Sequence, residues 1–265
     1  MSLIAFAIRT CTVRALRGAT LAGAAVFDSP VDPSDLATKA TTPTIFIYSD
    51  AERVEDLGTR DLLAGQRTVD LTLLIVLPAT FKATVNGASV EFQDGKAGAA
   101  TAIDIVYRQI ERALIAEESV WSRLWCVFVD RIETIHSHAY VLPVGSAGKQ
   151  LHLPARGITL SVQTINSPPI GSAPDGVWAE LVSAMETAPG LGPLAPLIAG
   201  AMEGTALPQW RVDALEVGDT VEDSQFVGDA PLDGSLSDPV PMSEATVDVR
   251  TPDTPDEPVT ITSDP

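Results

Sequence analysis

The chain has 265 residues, 45% hydrophobic and 20% charged, which suits one sizeable domain with appendages or two small domains. Its formal charge of −18, from 35 acidic against 17 basic residues, argues against a general attraction to nucleic acid or anionic lipid. No stretch approaches the roughly 20 apolar residues of a membrane helix, and two cysteines argue against a disulfide framework.

Aromatic residues make up 5% of the chain, so the core is expected to be built from Ala, Val, Leu and Ile. Cys11 and Cys126 both sit in apolar settings and read as small buried hydrophobes, in keeping with synthesis in a cytosol. The acidity is concentrated: residues 205–265 hold fourteen acids and two bases, net −12, and residues 1–204 carry the remaining −6.

In chain order, residues 3–17 place Leu3, Ile4, Ala7, Ile8, Cys11 and Ala15 at spacings of three and four, an amphipathic helix with Ser2 as N-cap and Gly18 as its stop. Arg9, Arg14 and Arg17 follow the apolar run instead of preceding it, the reverse of a secretory signal, so the segment reads as the first helix of the fold. Residues 19–43 read as a long loop, broken by Ala25-Val26-Phe27, whose length suits a binding role.

Thr44 to Tyr48 reads as a strand, and Arg67 to Leu77 as a longer one. Its first half alternates apolar with polar, while its second half is apolar on both faces. That end is therefore expected to lie between layers or between subunits. Leu73, Ile75, Val76 and Leu77 are the candidate subunit contact.

Phe81–Val85 and Ala88–Phe92, joined by Asn86-Gly87, carry a two-residue hairpin signal and would form a projecting arm. Residues 99–116 are the best helix, with Ile103, Val106, Tyr107, Ile110, Leu114 and Ile115 on one stripe. Trp121 to Ile135 reads as a helical turn that becomes a strand at Cys126. A loop over Pro143 to Gly148 leads to a last strand, Ile158 to Ile165, then short helices at Val177 to Glu186 and Leu194 to Met202.

This order predicts an α+β fold, an antiparallel or mixed sheet with helices packed on one face. The domain spans residues 1–204. Residues 205–265, rich in proline and acid, read as an extended arm that cannot form its own core. Trp210, Phe226, Leu232 and Met242 are its candidate anchors on a partner.

Catalytic signatures are weak. His136 and His138 share one strand face, and with His152 would give three nitrogens for a metal, yet no acid or cysteine stands beside them at metalloenzyme spacing. Gly145 to Gln150 has the flavour of a phosphate loop, but Pro143 stands where its first glycine belongs and Gln150 replaces the magnesium-holding hydroxyl. Ser146 and Lys149 match a Ser-x-x-Lys spacing, which is common by chance. No cofactor, metal or enzymatic activity is expected.

Arg14-Ala-Leu-Arg17-Gly-Ala-Thr20, then Val26-Phe27-Asp28-Ser29 and Thr44 to Asp50, resemble the opening of tail terminator proteins of long-tailed bacteriophages and related prophage elements. The Arg-Gln-Ile-Glu-Arg helix segment ending at Arg112 and the Val-Asp-Arg-Ile-Glu segment ending at Glu133 continue the resemblance, over about residues 3–185. It implies a structural virion protein, assembled in the host cytoplasm, that forms a ring, commonly of six copies. Such a ring caps the head-proximal end of the tail tube and joins it to the neck, so its partners would be tail tube protein and a neck or head-tail connector protein. An acidic lumen would let DNA pass without specific binding. The hairpin and the acidic arm look like additions to that plan. The other readings are a head-tail connector or neck protein, an acidic regulatory binding module that mimics nucleic acid, and a small hydrolase using His136, His138 or His152.

Overall fold

The computed structural model describes residues 2–30, 33–55, 66–78, 81–85, 88–92, 96–144, 151–168, 171–204, 245–247 and 259–261. The first helix, α1 (Leu3–Leu16), is capped by Ser2, whose hydroxyl accepts from the Ala5 N–H at 3.3 Å. Gly18 follows with φ +76°, a left-handed turn that glycine adopts without strain. Although its pattern reads as one-sided, α1 is buried nearly all round. Arg9 is part of that interior: its guanidinium meets the Asp28 carboxylate at 2.5 Å and the Ser49 hydroxyl at 2.8 Å. A buried charge held this way is paired as burial requires.

Five strands make one mixed sheet: β1 (Val26–Asp28), β2 (Thr44–Glu55), β3 (Gln66–Val76), β6 (Val129–Val144) and β7 (Leu151–Thr164), in the order β1-β2-β3-β7-β6. Only β1 and β2 pair in parallel; the other ladders are antiparallel. The hairpin β4 (Phe81–Val85) and β5 (Ala88–Phe92) forms its own two-stranded sheet, with Val85 opposite Ala88. Asn86 and Gly87 lie outside the described residues.

On one face of the sheet, α1 is joined by α3 (Lys96–Ile115), α4 (Val120–Phe128), α5 (Gly176–Thr187) and α6 (Ala195–Glu203). The main core lies here, joining Ile8 and Leu16 of α1 to Leu71, Leu73 and Ile75 of β3. Phe128 meets Trp178 of α5 edge to face at 4.9 Å. The opposite face is divided. One end, with Phe46, Leu74, Val76, Leu153 and Ala155, is covered by α2 (Pro33–Lys39) through Ala37 and Leu36. The other end is polar: the Thr72 and Thr159 hydroxyls bond at 3.0 Å, and Ser161 donates to Asp70 at 2.6 Å.

This division explains β3, whose alternating half is polar on the open face and whose doubly apolar half is sandwiched between the main core and α2. The α+β class with a mixed sheet is therefore what the chain adopts, but several local expectations are corrected. Leu73, Ile75, Val76 and Leu77 are at most 1% exposed within the single chain, and β3 is flanked by strands on both sides, so it has no free edge and these four present no exposed side chain to a subunit. The loop over residues 19–43 contains β1 and α2. Cys126 to Phe128 are helical, because Ser119 and Ser122 close a reciprocal capping box and Leu124, Trp125 and Phe128 then face the core. Both long strands extend past their expected ends, to Val144 and from Leu151.

Of the C-terminal segment, β8 (Ala245–Val247) and β9 (Val259–Ile261) pair antiparallel with each other. Trp210, Phe226, Leu232 and Met242 lie outside the described residues, as do Gly145 to Gln150. Among the described residues no helix is long and apolar enough to cross a membrane.

Candidate protein interface on an open sheet edge

The outermost strand, β6, follows directly from α4: the Val129 N–H still bonds the Trp125 carbonyl, and the chain then turns into the sheet. Two register irregularities, at Val129/Arg131 and Ile132/Thr134, mark bulges near its start. Bulges concentrate at sheet edges, where they add twist. From Asp130 to Ala139 every residue is exposed, and among the described residues no strand pairs with the outer side. Natural proteins blunt such edges with bulges, charges or short length, or cover them; on β6 the bulges and the charges Asp130, Arg131 and Glu133 stop at Thr134, and residues 134–139 carry neither.

The two faces of this strand differ. The Cα partners of Ile132 and Ile135 are Val162 and Leu160, so both isoleucines point to the helical face, like the core side chains of β7. Yet they are 42% and 50% exposed, because α3 covers β7 and stops short of β6. Arg156 of β7 fixes α3 there, its guanidinium 2.5 Å from the Asp104 carboxylate.

Between α3 and β6 lies a groove of about 250 Å³. Leu73, Ile158 and Leu160 form its floor; Ile110, Leu114 and Ile115 of α3 form one wall and Ile132 and Ile135 the other. Ile115, expected on the buried stripe of α3, is 62% exposed at the open end. At the rim, Arg108 meets Glu111 at 2.8 Å, and burial followed by the neighbouring Glu111 charge raises the Tyr107 hydroxyl above its usual range. Trp125 also lines the groove; it is 3% exposed, and its Nε1–H has no hydrogen-bond partner among the described residues. The arrangement can take up an extended apolar chain, with strand pairing along β6 and isoleucine contacts in the groove.

The histidines do not converge. His136 and His138 sit on the polar face of β6 opposite Thr159 and Gly157. The His138 ring stacks on Tyr140 at 5.5 Å and lies over Gly157, where an added Cβ would approach it to 3.1 Å. His152 is opposite Pro143, five positions along β7 from Gly157, so its side chain leaves the other face. Among the described residues no group of three His, Cys, Asp or Glu is placed to hold a metal. Both cysteines are free; Cys11 is fully buried, which pushes its thiol far above the usual range, while Cys126 is half-buried, with its thiol 3.5 Å from the Leu114 carbonyl oxygen.

Of the residues first assigned to a subunit contact, only Leu73 reaches the groove, as floor. The isoleucines of β6 escape a simple pattern reading because the bulges space them three apart instead of two, and because Arg131 and Glu133 flank Ile132. No protein-family model and no curated protein matches the chain.

Proposed function

We propose that this chain is a non-catalytic structural protein that assembles into a closed ring through the β6 edge, and that the ring serves as a tail terminator at the head-proximal end of a phage tail tube. The observation that carries the assembly reading is the run of ten exposed residues on β6 beside a groove walled by half-buried isoleucines. An edge of this kind is a liability in a monomer and an asset in a ring, where each copy covers the edge of its neighbour. The resemblance in residues 3–185 supplies the tail-terminator role. The charge balance is compatible with it: residues 1–204 carry −6 of the −18, and a ring with an acidic passage would repel the DNA that crosses it.

The test is to add the purified full-length chain to purified tail tubes and to isolated neck rings and image both. Rings seated on one end of each tube, with elongation stopped, are expected. Rings that bind the neck and leave the tubes growing would assign a connector role instead, and binding to neither would overturn the proposal.

A further inference from the structure

The sheet has a second open edge. β1 pairs with β2 only at residues 45–47, so among the described residues no strand lies outside residues 50–55 of β2. Direction is fixed by the ladders: β2 is antiparallel to β3, β3 to β7 and β7 to β6, so β6 runs opposite to β2. When copies of one orientation stand side by side, β6 of one and β2 of the next meet antiparallel, and the ladder continues across the boundary. The lengths are compatible, since the six open residues of β2 fit within the ten on β6. Side chains agree too, since Val54 is opposite Arg67 on the helical face, the face of Ile132 and Ile135, and is half-buried.

We infer that the occupant of the β6 edge is the outer half of β2, residues 50–55, from a second copy of this chain, with Val54 of that copy at the isoleucine groove. The contact is head to tail, leaves one open edge at each end of any incomplete chain of copies, and closes only as a ring. This inference rests on the ring reading above and adds the segment that makes the joint.

Disulfide trapping tests it, in a Cys126→Ala background so that the half-buried native thiol does not compete. Ala51→Cys or Arg53→Cys chains are mixed with Thr134→Cys, His136→Cys or His138→Cys chains; all five positions lie on the polar face, by their partners Asp70, Thr68, Ser161, Thr159 and Gly157. Mild oxidation should yield mixed dimers from at least one pair, since a disulfide needs Cβ atoms about 4 Å apart. A chain carrying both substitutions of that pair should give a ladder of masses ending at the closed ring. Self-linked His136→Cys dimers without mixed ones would overturn the inference in favour of a two-fold β6 pair. Rings that form normally while no pair cross-links would overturn the β2 assignment and leave the ring reading standing. Failure of the unsubstituted chain to oligomerise would overturn both.

Discussion

Replacing Ile135 by Asp separates assembly from folding. Ile135 is 50% exposed in the single chain, so about half of its burial free energy is already realised in the fold. Full burial of such a side chain is worth roughly 1.5–3 kcal/mol, which leaves about 1 kcal/mol for a partner to gain at Ile135. Ile115 at 62% and Ile132 at 42% bring the apolar gain at the groove to about 2–5 kcal/mol. An aspartate there loses the isoleucine contribution and carries an unpaired charge into the contact, a cost of several kcal/mol. Assembly should therefore weaken at least tenfold, since about 1.4 kcal/mol is a factor of ten. The protomer itself should lose no more than about 1 kcal/mol, as expected of a half-exposed edge position. Sedimentation equilibrium reads the first quantity and urea denaturation the second. The contrast is Ile75→Ala, at 0% exposure, which should cost the fold about 2–5 kcal/mol. An Ile135→Asp chain that assembles like the parent would show that Ile135 is not in the contact, and one that unfolds as readily as the Ile75 variant would show that it belongs to the core.

Three further outcomes are expected. Ser119→Ala removes the capping box that starts α4 and should lower stability by about 1 kcal/mol, read by thermal denaturation. Glu52 is drawn two ways: burial favours the neutral carboxyl, but hydrogen bonds from Ser2 and Arg67 outweigh it and hold the group below its usual range. Its stabilising contribution is thus present above the ordinary glutamate value of about 4.3 and lost as the pH falls through the lower folded value. Glu52→Gln should be less stable than the parent near neutrality, with the difference vanishing in acid. Truncation after Gly204 should leave the fold intact: among the described residues the last to enter the main core is Met202, buried, with its carbonyl accepting from the Gly171 N–H at 2.9 Å. A shift in Tm beyond about 4 °C, roughly 1 kcal/mol for a domain this size, would place the acidic segment in the core.

The legible part of the fold was what rests on local pattern. Ser2 caps α1 and Gly18 ends it, the two-residue spacing of the β4–β5 hairpin follows from Asn86-Gly87, and the change along β3 from alternating to doubly apolar marks where a second layer begins. Failures came where tertiary context overrides pattern. Leu124 to Val129 suits a strand or a helix, and the Ser119–Ser122 cap decides it. Arg9 looks like a surface residue until Asp28 and Ser49 arrive from β1 and β2 to bury it. The doubly apolar end of β3 permitted a subunit contact as well as an inner layer, and only α2, hidden in a stretch read as loop, settles the choice. The open edge on β6 was the least legible, since openness belongs to the strand order and no window of sequence records which strand ends up outermost.

The most direct test of ring assembly is the mass of the full-length chain in solution, measured by native mass spectrometry across a concentration series. Ring assembly gives a single closed species of several copies, six in a tail-terminator ring, with few intermediates. A chain that remains a monomer at high concentration, or stops at a two-fold dimer, would contradict it.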